Sequence, residues 1–229
     1  MSRNSFSHKR LLTLALIRFV AGLLSVGLLV FLPAGTLNYW QAWLYMGILF
    51  VPLAIMAIVM LLKDPKLLER RMRMMEGESA QRKAIARSTL VLLALYVIPG
   101  LDRRFGWSSV PTALVLLAML LVLMGFGLFA FTLRENRYAS RVVEVQEKQP
   151  VVRTGPYALV RHPMYLAMVL ILGFTPLALG SYRGMMAGAL FPLTLVGRIA
   201  NEEELLRNNL LGYVEYCEKV KYRVFPYVW

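Results

Sequence analysis

Three stretches of this chain, residues 11–32, 40–62 and 110–133, are almost unbroken runs of apolar side chain. About 20 such residues cross the hydrocarbon of a bilayer, and backbone inside hydrocarbon must satisfy its own hydrogen bonds, so runs of this length read as membrane helices. The composition agrees: 229 residues that are 58% hydrophobic, with a mean hydropathy of +0.57, carry too much apolar side chain for a soluble domain of that size. The expected fold is all-α, a multi-pass helical membrane protein. The first run is longer than a signal-peptide core and no small-residue cleavage pattern follows it, so it reads as an uncleaved anchor. Arg18 sits inside that run towards its basic end, where a long side chain can snorkel to the headgroups. A single cysteine, Cys217, excludes an intramolecular disulfide.

Charge supplies the topology. The formal net charge is +13, and in a membrane protein basic residues record orientation and headgroup contact before they point to nucleic acid, for which the sequence shows no module. Residues 63–87 hold eight Lys or Arg against four acids and are expected to face the cytoplasm. Within them LLERRMRMMEGES has two readings, a basic amphipathic helix lying on the membrane surface with Met72 and Met75 dipping in, or a solvated charge run. Residues 88–101 are short for a span, but the next basic segment, 134–161, must lie on the same side as the first. An even number of crossings therefore separates the two, and the short run is expected to cross, starting near Ala84. Residues 164–180 and 184–200 form a tight helical hairpin about Ser181, Tyr182 and Arg183. Gly184 and Gly188 give it a small-xxx-small face, and Pro176 and Pro192 are positioned to kink its arms. Six membrane segments with both termini cytoplasmic result, with 22 Lys and Arg on cytoplasmic segments against Arg103, Arg104 and Arg183 outside. GFGLFA at 125–130 spells a dinucleotide fingerprint, but inside an apolar helix its small residues permit close packing and nothing more. One membrane domain over 1–229 is expected, with amino-terminal helices in 1–133 and the chemistry in 134–229.

Two polar constellations interrupt this apolar background. In GPYALVRHPMY, residues 155–165, glycine and proline break regular structure, and Pro163 suits the first turn of the run that follows, so His162 and Pro163 read as a helix start. A helix start favours an anion, and the rings of Tyr157 and Tyr165 offer faces to a cation, a combination that suits a zwitterion. The plainer reading is a cytoplasmic turn with interfacial tyrosines. In RIANEEELL, residues 198–206, Arg198 and Glu202 are four apart and share a helix face, while Glu203 and Glu204 point elsewhere; the plainer reading here is an ordinary ion pair worth about 0.2–0.5 kcal/mol. Beyond Gly212, Tyr213 and Tyr216 recur at helical spacing. KVKYRVFPYVW then alternates basic and apolar, so the tail is expected against the membrane surface, where it could cover the site.

Taken in order, GPYALVRHPMY, a hairpin, RIANEEELL and LLGYVEYCEKVKYRVFP resemble the isoprenylcysteine carboxyl methyltransferase family and its bacterial relatives over about 134–229. The resemblance implies an integral membrane enzyme using S-adenosyl-L-methionine, with a cytoplasm-facing pocket built by the last helical hairpin and the tail. It implies that Tyr157, His162, Pro163, Met164, Tyr165 and Glu202 line the cofactor site, that Arg198 holds the substrate carboxylate, and that Arg198 and Glu202 are the catalytic pair. VQEKQPVV falls where the family makes further cofactor contacts, but its length differs and no single residue is carried over. No metal is implied. The partners are the lipid bilayer and a lipophilic carboxylate substrate, a prenylated cysteine or an isoprenoid or lipid acid. The expected membrane is a bacterial inner membrane or endoplasmic reticulum. The rival readings are a phospholipid amine N-methyltransferase, a sterol-reductase-like enzyme and a non-enzymatic scaffold or transporter. A histidine-rich iron desaturase is disfavoured, because the chain has only His8 and His162.

Single-cysteine labelling in intact cells tests the topology. Positions 79 and 148 are expected to react only from the cytoplasmic face and positions 108 and 181 only from the other. Opposite reactivity of 79 and 148 means that the run before residue 101 does not cross.

Overall fold

The computed structural model describes residues 8–72, 79–136, 138 and 149–229, and among these no strand occurs. The helices are α1 (His8–Ala34), α2 (Trp40–Lys63), α3 (Pro65–Met72), α4 (Ser79–Phe105), α5 (Thr112–Glu135), α6 (Pro163–Met168), α7 (Thr175–Ala178), α8 (Met185–Asn209) and α9 (Tyr213–Lys219). Three of them, over Lys9–Ala34, Trp40–Lys63 and Thr112–Glu135, are long and apolar enough to cross a membrane. The amphipathic pattern after residue 63 appears as α3, which buries Leu67 and Leu68 against Leu11 and its neighbours. Met75, Lys148 and the first half of VQEKQPVV, residues 145–148, lie outside the described residues. α4 starts at Ser79, five residues ahead of the start expected near Ala84.

α5 is the central post. It buries Val115, Ala118, Met119, Val122, Gly125 and Phe126 along one stripe and packs there against α2, α6 and α7. Its other face exposes Leu116, Leu117, Leu120, Leu123 and Met124. A soluble helix would carry charge on that face; an apolar residue at every position is what lipid on one side and protein on the other demand.

The run 164–180 is not one straight helix. α6 gives way to a π-helical turn, Val169–Gly173, before α7 resumes. Pro176 has no N–H to donate back to the preceding turn, and the wider turn ahead of it accommodates that loss. The broken arm and α8 meet at two glycines, because a Cβ on Gly188 would lie 2.3 Å from the carbonyl oxygen of Gly173. This contact is the small-residue face expected of the hairpin.

At the Ser181 end, hydroxyls and one carboxylate tie the elements together. Tyr39 donates to the carbonyl of Leu179, Ser181 and Ser108 donate to Asp102, and the amide of Tyr182 donates to Ser108 Oγ. α4 therefore ends beside the hairpin turn and the beginning of α5. The opposite end of α5, at Glu135 and Asn136, faces the 155–165 motif.

The glycine contact predicts a sharp contrast within α8. Gly188→Ala should lower stability in detergent by about 1–3 kcal/mol through overpacking. Gly197→Ala, with nothing within 4 Å of the added methyl, should leave it unchanged or slightly raised. Equal melting shifts for the two variants contradict the close approach.

Candidate functional site

Between α5 and α6 the chain turns twice. A 3-10 turn, Gly155–Ala158, has Pro156 in its first positions, and α6 begins with His162 as N-cap and Pro163 directly after it. This is the helix start that the proline predicts. The amides of Tyr165 and Leu166 both donate to the carbonyl of His162. The polar face of the turn does not stand alone, because the carboxyl-terminal tail lies along it. The amide of Arg161 donates to the carbonyl of Tyr222, at 2.9 Å, and the amide of His162 to that of Arg223, at 2.8 Å. Tyr216 in α9 donates its hydroxyl to the carbonyl of Tyr157. The tail thus touches the motif, as its alternating pattern allowed.

α8 brings two carboxylates to this end with different surroundings. Its inward stripe is Phe191, Leu195, Ile199 and then Glu203, each four residues on, so Glu203 enters the protein where the apolar ladder runs out. Its carboxylate is 4% exposed and has four basic side chains around it: His162 Nε2 at 3.3 Å and Arg223 Nε at 3.1 Å are hydrogen-bonded to it, while Arg161 Nε at 3.0 Å and Arg207 Nη2 at 3.9 Å act on it as charges. Burial alone pushes this carboxyl up. The hydrogen bonds from His162 and Arg223 and the charge of Arg161 outweigh it and hold the group down at about 2. Glu203 does point away from the Arg198–Glu202 face, as expected. What it points at is the motif, and the ladder of fours through 191, 195 and 199 was the signal for that.

One residue earlier, about 100° around the helix, lies the second carboxylate. Glu202 is half-buried and accepts the hydroxyl of Tyr165 at 2.6 Å, and Arg198 Nε donates to the same phenol oxygen at 3.0 Å. Arg198 and Glu202 are thus joined through Tyr165. The Tyr165 ring lies 6.0 Å from the Arg198 guanidinium and 5.6 Å from the imidazole of His162.

The remaining expected residues fall around this core. Tyr157 is half-buried; burial pushes its phenol up to about 12, while the amide of Asn136, donating at 3.0 Å, works the other way. Pro163 is buried beneath the α6 start, and Met164 points towards α3, where Arg71 Nη1 approaches its sulfur at 3.6 Å. His162 is buried and committed to Glu203 through its ring. Tyr165, Glu202 and Arg198 thus form one hydrogen-bonded group, with His162 and Met164 at the same helix start and Tyr157 in the 3-10 turn before it. Asn136 and Arg71 are additions that no sequence pattern suggested. Together these groups present a carboxylate, phenol rings and a guanidinium, a donor set that fits a ligand carrying both cationic and anionic groups.

Glu203 gives a pH signature. A carboxyl lowered from 4.5 to about 2 contributes stability that is complete above pH 4.5 and is lost as pH falls towards 2. Glu203→Gln should destabilise by about 3–5 kcal/mol, since Arg161 is left buried without its partner. The melting-temperature gap between this variant and the parent chain should be constant from pH 7 to 5 and shrink below about 4.5. A gap that stays constant down to pH 3 removes the charged hub.

No curated protein matches the chain. Residues 112–208, from the start of α5 to the last turn of α8, match the model of the isoprenylcysteine carboxyl methyltransferase (ICMT) family. That stretch contains the 155–165 motif, the broken hairpin arm and both carboxylates of α8, and over it the chain is similar to that family.

Proposed function

We propose that this protein is an S-adenosyl-L-methionine-dependent methyltransferase acting on the carboxylate of a lipophilic, isoprenylcysteine-like substrate at the membrane interface. The observation that carries this reading is the Arg198–Tyr165–Glu202 group, which joins the two family motifs across 33 and 37 residues of sequence. It lies where apolar helices give way to basic segments, at the level where a membrane-anchored carboxylate meets a water-soluble cofactor. The same reading includes six crossings, both termini in the cytoplasm, and one membrane domain whose 134–229 region carries the chemistry.

When bound, the cofactor supplies a methyl group on a sulfonium centre. The chain supplies the rest. The rings of Tyr165 and Tyr157 offer π faces to a cationic centre, and Glu202 accepts hydrogen bonds from an ammonium group. Tyr165, fixed by Glu202 and Arg198, keeps its ring orientation without adjustment on binding. Arg198 receives the substrate carboxylate, neutralising one oxygen while the other stays free to attack. A carboxylic acid with a reference pKa near 4 is already ionised at neutral pH, so no side chain needs to take a proton. The free oxygen would take the methyl group as its bond to sulfur broke, and Arg198 would be left beside a neutral ester. Positioning and charge are the whole of the protein's contribution.

Variants separate the two charged groups. Glu202→Gln should weaken cofactor binding about 10-fold or more, the loss of a hydrogen bond to a charged group. Arg198→Lys should leave cofactor affinity nearly intact and cut turnover, because an ammonium does not reproduce the planar fork. Cofactor dissociation constants and initial rates are to be measured separately, with farnesylated cysteine and phosphatidylethanolamine as alternative acceptors. Equal small effects from both variants return the pair to an ordinary surface interaction, and transfer to phosphatidylethanolamine alone moves the substrate to an amine.

A further inference from the structure

The end of the bundle away from the 155–165 motif holds a polar cavity of about 200 Å³, between the start of α2, the last turn of α4, the loop leading into α5 and the hairpin turn. Two buried oxygens of its lining residues have no hydrogen-bond donor. One is Asp102 Oδ1. Asp102 is 2% exposed, and its other oxygen, Oδ2, takes both hydroxyls, from Ser108 at 2.6 Å and from Ser181. The second is Gln41 Oε1, in the first turn of α2. The Gln41 amide reaches the hairpin turn because residue 180 is glycine: φ there is +78°, and a Cβ would stand 3.4 Å from Gln41 Nε2.

A buried carboxylate is stable as an ion only when its charge is compensated, and two hydroxyls compensate none of it. Among the described residues no ion pair to Asp102 is seen. Arg103 lies in the cavity wall, yet its Nη2 donates to the carbonyl of Asn38 at 3.0 Å and its guanidinium lies 5.8 Å from the Tyr39 ring centroid. A water molecule would donate to the orphan oxygens and leave the charge as it is. A cation answers both needs at once. One carboxylate, one amide oxygen and the hydroxyl-bearing Tyr39 and Ser108 line the cavity, the hard oxygen donors that alkali ions take, and among the described residues no cluster of His, Cys, Asp or Glu offers a transition metal its ligands. Asp102 also sits in the last turn of α4, where helix carbonyls present their negative ends. A single carboxylate balances one positive charge, so a monovalent ion leaves the group neutral where a divalent ion does not. We propose that the cavity of Asp102 and Gln41 is a monovalent-cation site of alkali-metal type, a pin that fastens α2 and α4 to the hairpin turn at the end of the bundle away from the proposed chemistry.

The test follows melting of the full chain in detergent while sodium chloride replaces choline chloride at constant ionic strength and neutral pH. The parent chain should gain about 3–5 °C for each tenfold rise in Na⁺ above the dissociation constant, the shift that mass action gives for a ligand held only by the folded state. Asp102→Asn keeps the shape of the side chain and removes its charge, and should melt independently of Na⁺. Gln41→Leu removes one ligand oxygen and should move the midpoint of the Na⁺ response about 10-fold or more to higher concentration, which keeps the test decisive if Asp102→Asn does not fold. A parent chain indifferent to Na⁺, or a response that survives the substitutions unchanged, overturns the proposal and leaves the cavity to water. Neither result bears on the methyltransferase reading, whose residues lie at the other end of α5.

Discussion

The end of this protein where the two polar motifs meet depends on one buried carboxylate. Glu203 receives Arg161 and His162 from the turn between α5 and α6, Arg223 from the tail and Arg207 from its own helix. A carboxylate this buried is tolerated only with its charge compensated and its oxygens hydrogen-bonded, and those conditions fix three separate pieces of chain at once. The backbone bonds from Arg161 and His162 to the tail follow the same line, so side-chain charge and main-chain pairing hold one arrangement. Together with the bonds of Tyr165 to Glu202 and Arg198, Glu203 holds the α6 start against α8.

Glu202, its neighbour, does the opposite work. It is half-buried, held by a single phenol, and turned about 100° away towards Arg198's partner ring. Two adjacent acids on one helix are thereby divided into a buried, ion-paired group and a half-buried, phenol-bonded group by the face each occupies. Tyr165 links the two settings, since its ring lies near His162 while its hydroxyl joins Glu202 to Arg198.

The rest of the bundle obeys a different constraint. With lipid outside, apolar burial cannot sort the faces of a helix, so small residues and close backbone approach do so instead. Gly188 against Gly173 and Gly125 beneath Ile171 are such approaches. The hydroxyl cluster of Tyr39, Ser108, Ser181 and Asp102 then caps the far end, where turns leave polar groups in need of partners. Each of these contacts bears on how α6 and α8 stand beside α5.

Run length and charge determined, without any structure, that the chain is helical and membrane-embedded, since hydrocarbon admits helices of that length and little else. They also gave the α2 start at Trp40, a helix at α3 and the helix start at Pro163, because proline and charge act locally. The two motifs likewise named Tyr165, Arg198 and Glu202, because residue type and spacing of four are written in the chain. Tertiary structure alone decided that Arg198 and Glu202 meet through Tyr165, that Asn136 holds Tyr157 and that Arg71 crosses from α3 to Met164. Those contacts join segments dozens of residues apart, and no local periodicity encodes which helix face meets which. Glu203 stands between the two cases. Its ladder of fours was visible in the sequence, but its partners come from 41 residues upstream and 20 downstream, and only the packed bundle brings them to one carboxylate.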